Sequence, residues 1–415
     1  MKAGMHQNSA WAVITGHALE RLRRLPANSV DCVVTSPPYW SLREYPVPAT
    51  IWDEKPNCRH RWVEHLRPAA NGKTNGRMQG WKPGRHAATR VPQASQFCEK
   101  CGAWCGQFGL EPTPRLYVKH LVEIFREVKR VLKPGCPLWI NLGDTWYSRA
   151  GSGKRMGGTG DISHYRGLLE RNGTYPKLPP SRMPIEGLKP KDLVGIPWMA
   201  AFALRDRLKL WLRSEVIWHK PNGIAKVAND RPACVHETIF LMANARHYYY
   251  DQAANMEPSS PHERERRLKE HKRGHNAVYE LKRDNTPGQA PPGATSCLKR
   301  VDKRIELALK GVRRRRSVWK IPCTPYDGDH TSTFPARIAE ICIECGCPPG
   351  GTVLDPFCGR GTTGVVATRM GRNFIGIELS RKHAKEAKDW ISSDAPLFNV
   401  PAHVTEAEFQ RSLFA

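Results

Sequence analysis

The feature that most constrains the fold is a short apolar strand that runs directly into a glycine loop and a helix. The strand is Thr352–Asp355, the loop is Pro356–Thr363, and a helical segment follows over Gly364–Met370. A second strand, Phe374–Glu378, then ends in a carboxylate. Strands alternate with helices elsewhere in the chain as well, and this alternation is typical of a mostly parallel sheet covered on both faces. We therefore predict an α/β fold with a doubly wound sheet.

The glycine loop has the composition of a ligand site. Gly359 and Gly361 would let the backbone approach a ligand closely at the start of the helix. Glu378 stands where a carboxylate accepts hydrogen bonds from a ribose diol. The spacing is not Gly-x-Gly-x-x-Gly, and the acidic Asp355 precedes the loop, which suits a cationic nucleoside better than a pyrophosphate. The alternative is a purely structural turn.

A second strand exit, near the N-terminus, carries a different set of groups. The strand Ser29–Thr35 is followed by Ser36, by Pro37 and Pro38, and by Tyr39. The two prolines lack N–H donors and hold φ near one value, so the chain leaves the sheet stiffly. The hydroxyl and carbonyl oxygens beside an aromatic face suit a planar guest that bears an amino group. The alternative is an ordinary strand-to-loop exit.

Residues 42–108 form an insertion with many Pro, Gly, Trp and basic residues and no sustained period. It contains Cys58 and His60, and later Cys98 and Cys101. These four side chains are the ligand types and the ligand number of a tetrahedral zinc site. The 37 residues between the two pairs weaken the pattern, and the alternative is free thiols with an incidental histidine. We favour zinc.

The charge balance indicates a polyanionic partner. Lys and Arg number 65 against 39 Asp and Glu, a formal net charge of +26. Residues 261–316 alone contain 17 Lys and Arg against 7 Asp and Glu, or 17 − 7 = +10. Nucleic acid is a better match than a membrane, because no run of 18 apolar residues exists and the N-terminus has no apolar segment. We expect a cytoplasmic protein, whose 13 scattered cysteines are reduced thiols apart from one metal site.

The two loops together resemble a known family. Asp355-Pro-Phe-Cys-Gly-Arg-Gly-Thr362 is similar to the cofactor motif of S-adenosylmethionine-dependent DNA amino-methyltransferases, and Thr35-Ser-Pro-Pro-Tyr39 is similar to their catalytic motif. The order of the motifs resembles the family's beta arrangement. Trp218-x-Lys220-Pro221 and His236-Glu237 resemble further sheet motifs, and Phe334-Pro335 resembles the motif beside the methionine end of the cofactor.

This resemblance implies a seven-stranded sheet in which both halves of the chain interleave, with Ser36 and the glycine loop on adjacent strand ends. The implied segments are a catalytic half (1–41), the continued methyltransferase domain (109–251), a basic target-recognition region (252–316), the cofactor-binding half (317–395) and a C-terminal tail (396–415). The insertion (42–108), with its predicted zinc site, lies outside the family pattern. The implied catalytic residues are Ser36, Pro37, Pro38 and Tyr39. The implied cofactor-binding residues are Asp355, Pro356, Phe357, Gly359, Gly361, Thr362, Glu378, Phe334 and Pro335.

The implied activity is methyl transfer from S-adenosyl-L-methionine to the exocyclic amine of a base flipped out of double-stranded DNA. Serine at position 36 resembles the cytosine-N4 enzymes, whereas Asp or Asn there resembles the adenine-N6 enzymes, so we favour cytosine with adenine as the alternative. A non-catalytic DNA-binding protein of the same fold is a further alternative, as is a methyltransferase for RNA or a small molecule. The resemblance also allows a cognate restriction endonuclease as partner. One departure is His17, because the family commonly has an acid after the glycine at Gly16.

Overall fold

The computed structural model describes residues 9–42, 45, 47–64, 96–147, 187–223, 226–269, 306–323 and 334–394. It divides into a main unit, which runs to Tyr249 and resumes at Val318, and a basic unit, Tyr250–Ser317. The C-terminal tail predicted at 396–415 lies outside the described residues.

In chain order the elements are β1 (Trp11–Thr15), α1 (Ala18–Arg24), β2 (Cys32–Thr35), β3 (Thr50–Trp52), β4 (Trp62–Glu64), β5 (Gln96–Cys98), β6 (Trp104–Gly106), α2 (Pro114–Val131), β7 (Pro137–Leu142), α3 (Ile196–Leu208), β8 (Trp211–His219), β9 (Lys226–Ala228), β10 (Arg231–Cys234), β11 (His236–Ala243), β12 (Met256–Pro258), β13 (Val312–Arg314), β14 (Val318–Lys320), α4 (Ala336–Gly346), β15 (Thr352–Asp355), α5 (Thr362–Arg369), β16 (Asn373–Glu378) and α6 (Arg381–Ser393).

The main sheet has the strand order β1-β16-β15-β2-β7-β11-β8-β14. Every neighbouring pair is parallel except the two that involve β11, so only β11 runs against the others among these strands. The mostly parallel sheet is therefore confirmed, and strands from both ends of the chain interleave in it. The sheet has eight strands rather than seven. The additional one is the three-residue edge strand β14, which is too short to show a periodic pattern.

Helices cover both faces of the sheet. On β2, Val33 belongs to the core cluster that contains Leu121 and Phe125 of α2. Its neighbour Cys32 instead lies beside Gly346 at the end of α4. Because successive strand residues point to opposite faces, α2 and α4 lie on opposite sides of the sheet, as a doubly wound fold requires.

The helix boundaries follow from local chemistry. Helix α2 begins after Thr113, whose side chain accepts a hydrogen bond from the Leu116 N–H at 3.2 Å, with Pro114 in the first turn. Helix α3 spans Ile196–Leu208. Both of its flanking residues are left-handed, Gly195 with φ of 83° and Lys209 with φ of 56°, and this conformation ends the helix at each side.

The insertion is more regular than its sequence suggested. It folds into an antiparallel sheet in the order β3-β6-β5-β4, in which each strand has three residues. Strands of this length contain too few positions for an alternating pattern to be visible in the sequence.

In the basic unit, β12 and β13 pair antiparallel, and a helix covers 261–269. Arg313 contacts Glu257 at 2.8 Å and also pairs with Glu263, and the Arg315 side chain donates to the side-chain oxygen Oδ1 of Asn255 at 2.8 Å. In the described part of the chain, no helix combines the length and the apolar character needed to cross a membrane.

Candidate functional site

The two loops singled out in the sequence line one cavity of about 630 Å³. They leave the neighbouring parallel strands β2 and β15, which pair with Val33 opposite Leu354. The carboxyl ends of parallel strands meet at one edge of an open sheet, which is where such folds bind ligands. Ser36, Pro37, Pro38 and Tyr39 line the cavity, together with Asp355, Pro356, Phe357, Gly359, Thr362, Glu378 and Phe334.

Asp355 connects the two loops. Its carboxylate accepts hydrogen bonds from the Thr35 hydroxyl on β2 and from the Thr363 hydroxyl on α5, both at 2.7 Å, and from the Phe357 N–H at 3.1 Å. The side chain is 2% exposed. Burial raises the pKa of Asp355 to about 6, although these hydrogen bonds oppose the shift. The carboxylate therefore holds the ends of β2 and β15 in register as well as bordering the cavity.

Glu378 closes the other side of the glycine loop. Its carboxylate accepts from the Gly359 N–H at 3.0 Å and from the Ser380 N–H at 2.7 Å. Burial raises the pKa of Glu378 to about 7, against the effect of these backbone donors. A carboxylate has about four acceptor sites, so Glu378 can still accept from a hydroxyl group of a ribose.

The remaining predicted cofactor residues have different surroundings. Gly361 precedes α5 with φ of 89°, and a Cβ there would lie 3.0 Å from the Cβ of Ala387. Gly361 is thus required for packing against α6 and does not itself line the cavity. Pro335 is buried at the start of α4, and Phe334 beside it faces the cavity.

A polar network surrounds the Ser36–Tyr39 loop. The Ser36 hydroxyl lies 3.3 Å from the Tyr39 hydroxyl, which donates to Glu237 at 2.7 Å. The Asn141 side-chain N–H group donates to the Tyr39 oxygen at 2.7 Å and to Glu237 at 3.1 Å. Burial, followed by the Glu237 charge, raises the pKa of Tyr39 well above its usual value, so the phenol stays protonated. Gly143 leaves room for this ring, because a Cβ there would lie 2.6 Å from it.

Asn141 borders the cavity and has one unused hydrogen-bond acceptor. Its side chain is 4% exposed, and its Oδ1 has no hydrogen-bond partner among the described residues. The carboxylate of Glu237 can only accept hydrogen bonds, so the amide nitrogen of Asn141 must face it. The amide oxygen of Asn141 therefore points away from Glu237. A buried acceptor without a partner costs free energy unless a ligand or water satisfies it.

Lys220 is a further member of the polar network around Tyr39. It forms an ion pair with Glu237, and its Nζ lies 4.2 Å from the centroid of the Trp218 ring. The sequence predicted no role for Asn141, and it identified Lys220 and Glu237 only as members of two separate sheet motifs. These residues come from β7, from the end of β8 and from β11, so no local motif joins them.

An aromatic wall joins the insertion to the glycine loop. The Phe357 ring stacks on Phe108 with 5.7 Å between centroids, and Phe108 lies 5.6 Å from Trp52. Trp52 stacks on His120 at 4.5 Å and meets the edge of His17 at 4.8 Å. Burial lowers the pKa of His17, which favours its neutral form in this wall. The insertion is therefore part of the cavity's structure.

The four predicted metal ligands also come together, away from the residues that line the cavity. One ligand atom each from Cys58, His60, Cys98 and Cys101 lies within 4.8 Å of the others.

Comparison with known proteins places the chain among DNA methylases. Residues 30–389 match a family model for N6 and N4 methyltransferases that is described as DNA methylase. The type II methyltransferase M.SmaI of Serratia marcescens is 32% identical over 379 residues, which cover 91% of this chain and 90% of the relative. M.Cfr9I of Citrobacter freundii, also a type II methyltransferase, is 31% identical over 379 residues, with coverages of 91% and 87%.

Among solved structures, the cytosine-N4-specific PvuII DNA methyltransferase aligns over 98% of this chain and 92% of its own, with 13% identity and a TM-score of 0.47.

Proposed function

Because the chain belongs to the N6/N4 DNA methylase family, we propose that it moves a methyl group from S-adenosyl-L-methionine to the N4 amine of a cytosine in duplex DNA. The observation that carries this proposal is the single cavity lined by both the Ser36–Tyr39 loop and the glycine loop. A methyl donor and an amine held at these two loops would share one space, and binding alone would bring the reacting atoms together.

The glycine loop supplies the cofactor end of the proposal. Glu378 would accept hydrogen bonds from the ribose hydroxyls, and the aromatic face of Phe357 would border the nucleoside. Phe334 would pack beside the methionine portion. Two buried carboxylates, Asp355 and Glu378, favour a ligand that carries positive charge, as the sulfonium of S-adenosyl-L-methionine does.

The Ser36–Tyr39 loop supplies the base end. A base inside the duplex is out of reach, and flipping it out costs a few kcal/mol. Stacking on the exposed part of Tyr39 returns roughly 1–3 kcal/mol of that cost. The Ser36 hydroxyl hydrogen points to Tyr39, which leaves the lone pairs of its oxygen for the incoming amine. The Pro37 carbonyl and the free Asn141 oxygen are further acceptors for the two amine hydrogens.

The reaction needs no covalent enzyme intermediate. The amine nitrogen attacks the methyl carbon in line with the carbon–sulfur bond, which breaks as the carbon–nitrogen bond forms. Sulfur keeps the electron pair and becomes a neutral thioether, while the nitrogen loses one proton to an acceptor or to water. The acceptors around the amine direct its lone pair towards the methyl group, which is a positioning effect.

The methylated base is directly measurable. Duplex DNA treated with the protein and labelled S-adenosyl-L-methionine is digested to nucleosides and separated by mass. We expect N4-methylcytosine, and exclusive N6-methyladenine would show that the alternative base is the substrate. If no label enters any duplex while DNA is still bound, the chain is a binding protein of the same fold. Label in RNA but not in DNA would contradict a DNA substrate.

We also propose that the protein protects DNA against a cognate restriction endonuclease, since the relatives reported above are named type II methyltransferases. DNA methylated by the protein should resist cleavage by that endonuclease at the methylated sites. Equal cleavage of methylated and unmethylated DNA would contradict this pairing.

A further inference from the structure

We propose that Cys58, His60, Cys98 and Cys101 bind one structural zinc ion that holds the insertion together and, through it, one wall of the cavity. The sulfur atoms of Cys58 and Cys98 are 3.9 Å apart, and the Cys101 sulfur is 3.4 Å from His60 Nδ1. Zinc binds sulfur at about 2.3 Å and nitrogen at about 2.0 Å, so tetrahedral ligand atoms lie about 3.5–3.8 Å apart. These two separations are close to that geometry, and all four ligand atoms lie within 4.8 Å of one another.

The backbone brings the two pairs of candidate ligands together. Cys98 ends β5, and the Gly102 N–H donates to the Cys98 carbonyl at 2.8 Å, which forms a tight turn that places Cys98 and Cys101 on one side. Gly102 has φ of 75°, a conformation that favours glycine directly after the second cysteine of the turn. Cys58 and His60 precede β4, whose Trp62 pairs with Cys98 across the sheet. Strand pairing therefore delivers both ligand pairs to one point.

His60 also has an outer partner. Its Nδ1 faces the sulfur atoms, while its Nε2 lies 3.7 Å from Glu54 and its ring stacks on Trp62 at 4.7 Å. A carboxylate near the second ring nitrogen orients a ligand histidine and increases its basicity. This arrangement distinguishes His60 from a histidine that meets a cysteine by chance.

The site has four protein ligands, the closed set of a structural zinc site rather than of a catalytic one. The metal would join two segments separated by 37 residues of sequence, which a four-stranded sheet of three-residue strands orders poorly by itself.

The zinc site is connected to the cavity by direct contacts. Trp52 on β3 and Trp104 on β6 stack on His120 of α2 at 4.5 and 5.5 Å. His120 Nε2 lies 3.2 Å from Asp53 of the insertion, and its Nδ1 lies 3.0 Å from the buried Glu111. Trp52 then contacts Phe108, which stacks on Phe357 of the glycine loop. The metal would thus keep the sheet flat against α2 and the aromatic wall in place.

Metal content tests the site without reference to activity. The full chain is produced without a histidine tag in zinc-supplemented medium, and its metals are quantified by mass spectrometry. We expect about one zinc per chain, and loss of at least about nine-tenths of it in Cys58→Ser and Cys98→Ser. Cys105→Ser is the matched control, because Cys105 lies on the same small sheet but outside the ligand group, and it should keep its zinc.

Cobalt substitution tests the site in the unmutated chain, so the result does not depend on whether the cysteine variants fold. A Cys₃His site should give the strong visible absorption of tetrahedral cobalt and a thiolate charge-transfer band, both displaced by one equivalent of zinc. Three results would each overturn the proposal: a folded chain with no stoichiometric zinc, stoichiometric iron instead, or equal zinc loss in Cys105→Ser. Because none of these measurements involves methyl transfer, the zinc site can fail while the proposed function stands, and the reverse.

Discussion

At the scale of single residues, the part of the cavity beside the Ser36–Tyr39 loop depends on hydrogen bonds among Ser36, Tyr39, Asn141 and Glu237. All four side chains form hydrogen bonds within this group, while Oδ1 of Asn141 has no partner among the described residues. The network therefore holds one acceptor in a fixed direction before any ligand binds. Such preorganisation is what a positioning role for the amine requires.

Asn141→Ala should lower turnover by about 10- to 100-fold, because a lost hydrogen bond to the reacting amine costs about 1.4–2.7 kcal/mol of transition-state stabilisation. The affinity for S-adenosyl-L-methionine, measured by calorimetry, should stay within about twofold. Tyr39→Phe is the matched comparison, since it keeps the Asn141 amide and removes the hydroxyl to which the amide donates. If Tyr39→Phe reproduced the whole effect, Asn141 would act only by holding Tyr39.

Cofactor affinity should depend on pH through the two buried carboxylates. The pKa values of Glu378 and Asp355 are raised to about 7 and about 6, so both groups carry protons in mildly acidic solution when the cavity holds no cation. A cationic cofactor favours their ionised forms, so binding releases protons at low pH. The affinity should rise with pH by up to about tenfold per pH unit for each group, up to about pH 6 for Asp355 and about pH 7 for Glu378, and then level off.

Titration calorimetry across this range checks the expectation. Glu378→Gln should weaken binding at pH 8 and remove the upper part of the pH dependence. An affinity that falls as the pH rises would contradict the role given to these carboxylates.

At the scale of elements, the insertion packs against the glycine loop. Phe108 stacks on Tyr117 of α2 at 5.1 Å and on Phe357 at 5.7 Å between centroids. Phe108 is thus the contact through which the small sheet reaches the glycine loop. The position of the glycine loop depends on an element that interrupts the main fold.

Phe108→Ala should weaken S-adenosyl-L-methionine binding by about 5- to 10-fold, since each aromatic pair is worth about 0.5–1.5 kcal/mol beyond the area it buries. Zinc content should not change. Removal of zinc by a chelator should weaken binding of the cofactor to a similar extent in the unmutated chain and add little in Phe108→Ala. Phe202→Ala, an exposed residue on α3, serves as the control. Unchanged cofactor affinity in both Phe108→Ala and the zinc-free chain would contradict the supporting role of the insertion.

At the scale of the whole molecule, the net charge of +26 makes DNA binding sensitive to salt. The run Arg313–Arg316 contributes less free charge than its sequence suggests. Arg313 pairs with Glu257 and Glu263, and Arg315 bonds to Asn255, whereas Arg314 is exposed without a partner among the described residues. Arg313 and Arg315 therefore form contacts within the basic unit, whereas Arg314 is exposed to solvent.

Arg314→Ala should weaken DNA binding and reduce the slope of log K against log salt by about 0.9, the value for one phosphate contact. Arg313→Ala, at the neighbouring position, is the comparison variant. It should lower the thermal stability of the basic unit, because it removes the ion-pair partner of the partly buried Glu257 and one of the three arginines that pair with Glu263. Binding isotherms from about 50 to 200 mM salt distinguish the two. An unchanged slope in Arg314→Ala would exclude a phosphate contact at this residue.

The sequence alone determined the features that are local in the chain. A strand, its exit loop and the following helix are encoded within about 20 neighbouring residues, so both loops, the parallel sheet and the family could be predicted. Cys58, His60, Cys98 and Cys101 could be named as ligands for the same reason, since each pair is a short motif.

The features formed by strands that are far apart in the sequence could be recognised only in the tertiary structure. Strand β14 joins the sheet through three residues, and the strands of the insertion are equally short, so neither has a periodic signal. Asn141, Lys220 and Glu237 meet because β7, β11 and β8 are neighbours in the sheet. Asp355 reaches Thr35 across 320 residues of sequence for the same reason. Hydrogen bonding and burial depend on which residues are close in space. The strand order of the sheet determines those neighbours, and the order of residues along the chain does not.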